Sequence, residues 1–282
     1  MAVQKRKSTP RKSVLKKKVE SKPSFFSSSL FFRLLLSFGF VVFIYSQKSI
    51  LSRYLGFTTD KILFAEARSM PIDKVLDTHI EKSFGIDISE YQDKVDWDEL
   101  KEIEGGYPIE FVFIRASVGN NRPDYKFKKY WKKAKEKGLI CGAYHYYRPN
   151  ENSIEQAENF IKQVTLVEGD FPPVLDIEKL PREQSIERLK VGLKRWLEKV
   201  EAHYGVKPII YSSESYYEDF LRDDFEAYPF WIANYTAFYK DIDDEWSLWQ
   251  FTETGKVHGI KGPVDINIYN GTSVEMKELL IK

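Results

Sequence analysis

Between residues 84 and 268 the chain carries eight short apolar runs, each long enough for one strand, and their spacing restricts the architectures open to it. The runs are 84–88, 111–116, 139–146, 173–177, 208–212, 230–233, 247–251 and 264–268. Helical patterns separate the earlier ones. Phe127, Tyr130, Trp131 and Ala134 recur at i, i+3, i+4 and i+7, with Gly138 placed to end the helix. Ser153-x-x-Gln156 reads as a capping box ahead of Ala157, Phe160, Ile161 and Val164. Ser185 is placed to cap a helix carrying Leu189, Leu193, Trp196, Leu197 and Val200, with Gly205 beyond its end.

The last connections differ. After Asn234 and after Phe251 only about a dozen residues precede the next run, without an apolar stripe, too short for a crossover helix and its loops. Five βα units followed by three closely linked strands predict an α/β fold, a single irregular (β/α)5β3 TIM-like barrel over residues 83–282. Composition agrees: 43% hydrophobic and 30% charged residues exclude a disordered or collagen-like chain. Cys141 is the lone cysteine, which excludes an internal disulfide framework and a cysteine-based zinc site.

Polar residues fall in pairs near the strand ends: Asp87 with Ser89, Tyr144 with Tyr146, Asp176 with Glu178, Asp265 with Asn267. Period-two geometry sets both members of a pair on one face, about 6–7 Å apart along the strand. Strand ends of a barrel converge on the face where binding and catalysis occur, so Asp87, Asp176, Glu178 and Asp265 are expected in one pocket. Asp87 or Asp265 alone would pass for a turn or capping residue. Asp176 and Glu178 are harder to explain structurally. They follow the buried-looking run Pro172-Pro173-Val174-Leu175, and two carboxylates entering one interior repel unless one keeps its proton. That suits a general acid beside a charged partner, with a metal site as the main competitor. Against a metal, no histidine forms a close ligand pair with these acids, and His145 alternates outward from Tyr144 and Tyr146 into a structural role. No metal and no other cofactor are expected. Tyr144, Tyr146, Tyr211, Trp231, Tyr235, Trp249 and Phe251 lie at or near strand ends, where rings can stack on flat sugar faces. Gln92, Asn234, Gln250 and Asn267 could read hydroxyl and acetamido groups.

From about Phe84 to Gly271 the sequence resembles the family 25 glycoside hydrolases, muramidases built on an incomplete (β/α)5β3 barrel. The resemblance rests on Gly85-Ile86-Asp87-Ile88-Ser89-Glu90-Tyr91-Gln92, Phe111-Val112-Phe113-Ile114-Arg115-Ala116 and Gly142-Ala143-Tyr144-His145-Tyr146-Tyr147. It continues through Pro173-Val174-Leu175-Asp176-Ile177-Glu178, Trp231-Ile232-Ala233-Asn234-Tyr235, Leu248-Trp249-Gln250-Phe251 and Gly259-Ile260-x-Gly262-x-Val264-Asp265-Ile266-Asn267. It implies cleavage of the β-1,4 bond between N-acetylmuramic acid and N-acetylglucosamine in peptidoglycan. It assigns Glu178 as general acid and Asp176 as the group that steers the substrate's 2-acetamido group. Asp87 and Asp265 tune and orient that pair, and Tyr146, Tyr211 and Trp231 form subsite walls. The chain departs from many relatives at Val118, where they carry an acid before the glycine at position 119. The alternatives are a catalytically silent wall-binding module and a hydrolase of another N-acetylhexosamine polymer such as chitin.

Charge is unevenly distributed. The whole chain has 43 Lys+Arg against 42 Asp+Glu, yet residues 1–33 hold ten basic residues and one acid, Glu20. The basic tail 1–24 precedes an apolar segment, 25–46, expected to be an uncleaved transmembrane signal-anchor. Residues 47–82 read as a spacer. Basic residues stay cytoplasmic, so the barrel is expected outside the cytoplasmic membrane, on the periplasmic or extracellular side. Beside an apolar segment the basic run is read as a membrane-topology signal rather than a nucleic-acid site.

Overall fold

Eight strands close on themselves in chain order: β1 (Ser83–Ile88), β2 (Phe111–Val118), β3 (Ile140–Tyr146), β4 (Val174–Asp176), β5 (Ile209–Ser213), β6 (Phe230–Ala233), β7 (Leu248–Gly255) and β8 (Val264–Tyr269). The computed structural model of the protein describes residues 71–235 and 245–282. The basic tail, the expected anchor 25–46 and most of the 47–82 spacer lie outside the described residues. No helix among the described residues is long and apolar enough to cross a membrane.

Strands β1 to β7 run parallel, each paired with the next, while β8 is antiparallel to both β7 and β1 and completes the ring. The β7–β8 link is too short to carry the chain back along the barrel, so the last strand returns in the opposite direction. This corrects one detail of the strand-end pattern. Asp265 belongs to the beginning of β8, and the reversal brings it level with Asp87 at the finishing end of β1.

Helix α1 (Ile72–Thr78) precedes the barrel, and α2 (Phe127–Glu136), α3 (Ser153–Gln163) and α4 (Ile186–Tyr204) fill the second to fourth crossovers. The fifth crossover is a broken helix over residues 214–225 with a π-helical turn at Tyr217–Leu221. The first lacks an α-helix. A 3-10 turn, Glu90–Gln92, and a hairpin of Glu102–Ile103 with Tyr107–Pro108 replace it, and Gly105 and Gly106 take positive φ values that a helix excludes. The Ser185 hydroxyl caps α4 by accepting the Arg188 N–H, and Gly205 ends it at φ 74°. In α3 the cap is Asn152 rather than Ser153. Gln156 bonds both backbone groups of Arg148 instead.

Helix α1 falls within the expected spacer, yet Val75 and Leu76 are buried in the core and Tyr107 donates to Asp77. The spacer therefore ends before residue 72. A seven-residue helix with two apolar anchors leaves too little periodicity to be read.

Alternation along the strands builds two cores. Phe111, Phe113, Val174, Ile209, Trp231 and Leu248 point inward, joined by Phe171 and by Met276 of α5 (Ser273–Leu279), which closes the end opposite the acids. Ile86, Val112, Ile114, Leu175, Ile210 and Ile232 point outward against Phe160, Leu193, Trp196 and Leu197 of the helices. Gly85 and Gly142 leave room for the inward rings, since a Cβ at either would lie 2.2 Å from a ring carbon of Phe111 or Phe113. Gly142→Ala is thus expected to destabilise the domain by about 1–3 kcal/mol through overpacking, measured as a lower urea midpoint with unchanged slope.

Candidate active site

A cavity of about 230 Å³ opens where β1–β7 finish and β8 begins. Its floor is aromatic. Trp231 stacks on Phe113 at 4.5 Å between centroids and 27° between planes, and Tyr211 meets Trp231 edge-on at 4.6 Å. Tyr146, Asp176, Tyr211 and Trp231 follow one another in register across β3 to β6, so inward alternation alone aligns one ring on one side of the strand-end acid and two on the other.

The four expected acids all line this cavity. Asp87 is nearly sealed from solvent. Its Oδ2 accepts from Gln250 Nε2 at 2.7 Å and from Asn267 Nδ2 at 2.9 Å. The Asn267 carbonyl accepts the Trp231 indole N–H at 2.9 Å, and the Gln250 carbonyl accepts the hydroxyls of Tyr211, at 2.7 Å, and Tyr235. Every amide in this network is thereby oriented toward one carboxylate.

Burial lifts Asp87 to about 6, opposed by its bonds from Asn267, Gln250 and Asp265 and reinforced by Glu178. Burial and the neighbouring Asp87 charge push Asp265 to about 9. Asp265 is accordingly the protonated partner at neutral pH and donates to Asp87. Both carboxyls hold protons in the folded state at pH values where an unfolded chain, titrating near 4, has released them. Stability from these groups is complete below about pH 4 and is lost as pH rises through about 6 and then 9. Asp265→Asn, whose amide can make the same donation without titrating, is expected to raise the melting temperature relative to the parent at pH 8 and to leave it unchanged at pH 4.

Burial, with the charges of Glu178 and Asp87, raises Asp176 well above the ordinary carboxylate range. Its Oδ1 is buried with no hydrogen-bond partner among the described residues, an open acceptor facing the site. Glu178 is half-buried at the rim and is hydrogen-bonded by the Tyr146 phenol, which burial and the two acids keep neutral. Asp176 and Glu178 are thus a closely coupled pair of carboxyls, each disfavouring the charged form of the other.

Tyr144, Tyr146, Tyr211, Trp231 and Gln250 line the cavity as expected. Asn234, Trp249 and Asn267 do not. Gln250 points inward, so its neighbour Trp249 points outward into the helix-side core, edge-on to His79 at 5.9 Å, with its indole N–H on the Asn234 carbonyl. Asn234 likewise follows inward-facing Ala233, and its amide donates to Glu214 at 2.7 Å. Asn267 faces inward one layer below the cavity and acts on Asp87 and Trp231. His145 is structural, as its parity indicated. It is fully buried between Ser117 and Gln156 and stacked on Trp196, and burial lowers it to about 3, so the ring is neutral.

Arg115 and Glu253 are charged lining residues that the candidate set lacked, and Arg115 is the cation of the two. It follows Phe111 and Phe113 at two-residue intervals on the inward face of β2, a lone charge in an apolar alternation. Its Nε lies 3.1 Å from Asp124, its Nη2 3.1 Å from Glu90, and the Tyr91 ring covers its guanidinium at 4.7 Å. Among the described residues the cavity thus holds one fixed cation against its acids. Val118, the point of departure from relatives, is buried beside Tyr146 in the sheet and does not line the cavity.

The sequence model for glycosyl hydrolases family 25 matches residues 86–260, a segment that spans the barrel from β1 through β7 and holds three of the four acids. The chain belongs to glycosyl hydrolases family 25. It is a glycoside hydrolase. Among curated proteins, YegX of Escherichia coli (strain K12) is 39% identical over 195 residues, 68% of this chain and 71% of that protein. The autolytic lysozyme of Clostridium acetobutylicum is 30% identical over 186 residues, 66% of this chain and 55% of that protein. Among solved structures, a family 25 glycosyl hydrolase from Bacillus anthracis superposes with a TM-score of 0.64 at 27% identity, covering 72% of this chain and 95% of that one. The eight-stranded closed barrel is the fold that this chain shares with that structure.

Proposed function

We propose that this family 25 hydrolase is an N-acetylmuramidase that cleaves the β-1,4 bond between N-acetylmuramic acid and N-acetylglucosamine in peptidoglycan. The observation that carries this reading is the pairing of a half-exposed, Tyr146-bonded Glu178 with a buried Asp176 whose Oδ1 lacks a partner. Glu178 gives its proton to the departing glycosidic oxygen. Asp176 accepts the N–H of the 2-acetamido group, turning the acetamido oxygen onto C1 as the C–O bond breaks and steadying the positive charge of the resulting oxazolinium ion. Glu178, now a carboxylate, takes a proton from water as the water attacks C1, and the oxazolinium ring opens. Two displacements at C1 leave the configuration retained. Carboxyl separation is no guide here, because substrate-assisted enzymes fall outside the two-carboxylate distance rule. Proton NMR of the first-formed product is expected to show the β anomer. An α anomer would exclude this path.

Asp87 and Asp265 position the floor of the site, and the rings of Tyr146, Tyr211 and Tyr235 offer stacking surfaces for sugar faces. The basic tail 1–24 and the apolar segment 25–46 support a single-pass anchor in the cytoplasmic membrane with the barrel outside, tethered beside its substrate. A parallel digest of purified peptidoglycan and chitin, read for new reducing ends, tests the substrate class. Peptidoglycan is expected to be cleaved and chitin to be cleaved poorly, and equal or greater release from chitin would overturn the assignment.

A further inference from the structure

A second cavity, of about 340 Å³, lies on the outer side of the barrel wall, between the start of α3 and the first half of α4. Consecutive residues at the end of β3 divide between the two cavities: Tyr146 lines the catalytic one and Tyr147 the other. The α4 side presents Arg188, Val191, Gly192 and Arg195 at i, i+3, i+4 and i+7, a single stripe of the helix. Gly192 keeps the floor open, since a Cβ there would stand 2.9 Å from the Tyr147 hydroxyl.

The electrostatics of this cavity are one-sided. Neither Arg188 nor Arg195 has an acidic partner within ion-pair distance among the described residues, and the same is true of Arg182, whereas Arg115, Arg122, Arg148 and Arg222 are paired. The carboxylate at the rim, Glu151, is already engaged by Arg148 at 3.0 Å and by the Asn120 N–H at 2.7 Å. The amides of Ile154 and Glu155 at the start of α3 are held by Asn152, so the guanidinium groups are the free donors. The wall between the cavities is stitched in place: Gln184 donates to the Pro149 carbonyl, and Asn150 Oδ1 accepts the N–H groups of Arg182 and Glu183 at 3.2 and 3.3 Å.

We propose that this cavity is an accessory subsite for an acidic peptide, the stem that muramic acid residues of peptidoglycan carry, and that Arg188 and Arg195 bind its carboxylates. The assignment rests on the reading of the catalytic groove as a muramidase site. Seven positions of α-helix set the two arginines about 10 Å apart along the axis, which matches carboxylates about three extended residues apart. An extended stem of four or five residues spans about 13–18 Å, enough to pass from the groove over the end of β3.

The test compares glycan strands that retain their stems with the same strands stripped by an amidase. The parent enzyme is expected to show a KM about ten-fold lower on the stem-bearing strands, the scale of two solvent-accessible charge-assisted contacts. The Arg188→Gln/Arg195→Gln double variant is expected to raise KM to the stripped-strand level on stem-bearing strands only, with kcat unchanged on both. Val191→Glu, an exposed position that adds a repelling charge between the arginines, is expected to move KM the same way. Variants indistinguishable from the parent on both substrates, or impaired equally on both, would overturn the subsite while leaving the muramidase reading intact. A parent enzyme that cleaves neither substrate would overturn that reading, and the subsite with it.

Discussion

Glu178→Gln is expected to lower kcat on peptidoglycan by about 10²–10⁴-fold, the range that a positioned general acid contributes, while wall binding persists. The substitution keeps the shape of the side chain and its contact with the Tyr146 phenol but removes the proton that the departing sugar oxygen needs. The neighbouring carboxyl cannot substitute for it. Asp176 sits two residues deeper on β4, sealed from solvent, and faces the floor beside Tyr211 and Trp231 rather than the rim. Sedimentation with insoluble wall, run beside a reducing-end assay, separates the effects. Retained sedimentation with lost turnover is the expected result, and unchanged turnover would remove Glu178 from the chemistry.

Asp176→Asn is expected to cost about 10²–10³-fold in kcat with little change in KM, because the lost interaction is one that strengthens as positive charge develops on the acetamido group. An asparagine can still accept the acetamido N–H, so the ground-state contact survives and only the charge is removed. The same change relieves repulsion among Asp176, Glu178 and Asp87, so the variant is expected to melt higher than the parent near neutral pH. Lower activity with higher stability is the signature of strain held for function. A variant that is less stable and also binds substrate more weakly would make Asp176 a structural residue. Steady-state kinetics and thermal unfolding on one preparation decide between the two.

Much of this site was readable from alternation alone. Asp87, Asp176, Glu178 and Asp265 converge because inward parity and strand ends are both written in the residues. The same parity would have turned Trp249 and Asn234 outward, since Gln250 and Ala233 beside them face the interior. Their side-chain chemistry suggested sugar contacts, but their positions on the pleat exclude it. Arg115 carried a legible signal as a charge at an inward position of an apolar strand, and its meaning depended on Glu90 and Asp124, which loops bring from both sides. Asn267 shows a different limit: it has the correct parity but lies one layer too deep, and depth follows from barrel register, which single strands do not encode. The missing helix of the first crossover follows from Gly105 and Gly106, whereas α1 is recognised only through the core that Val75 and Leu76 enter.

The bond that is cut identifies the activity most directly. Purified peptidoglycan digested by the protein, reduced with borohydride and analysed by mass spectrometry, is expected to yield fragments ending in N-acetylmuramitol. Fragments ending in N-acetylglucosaminitol, or no new reducing ends at all, would contradict a muramidase acting through Glu178 and Asp176.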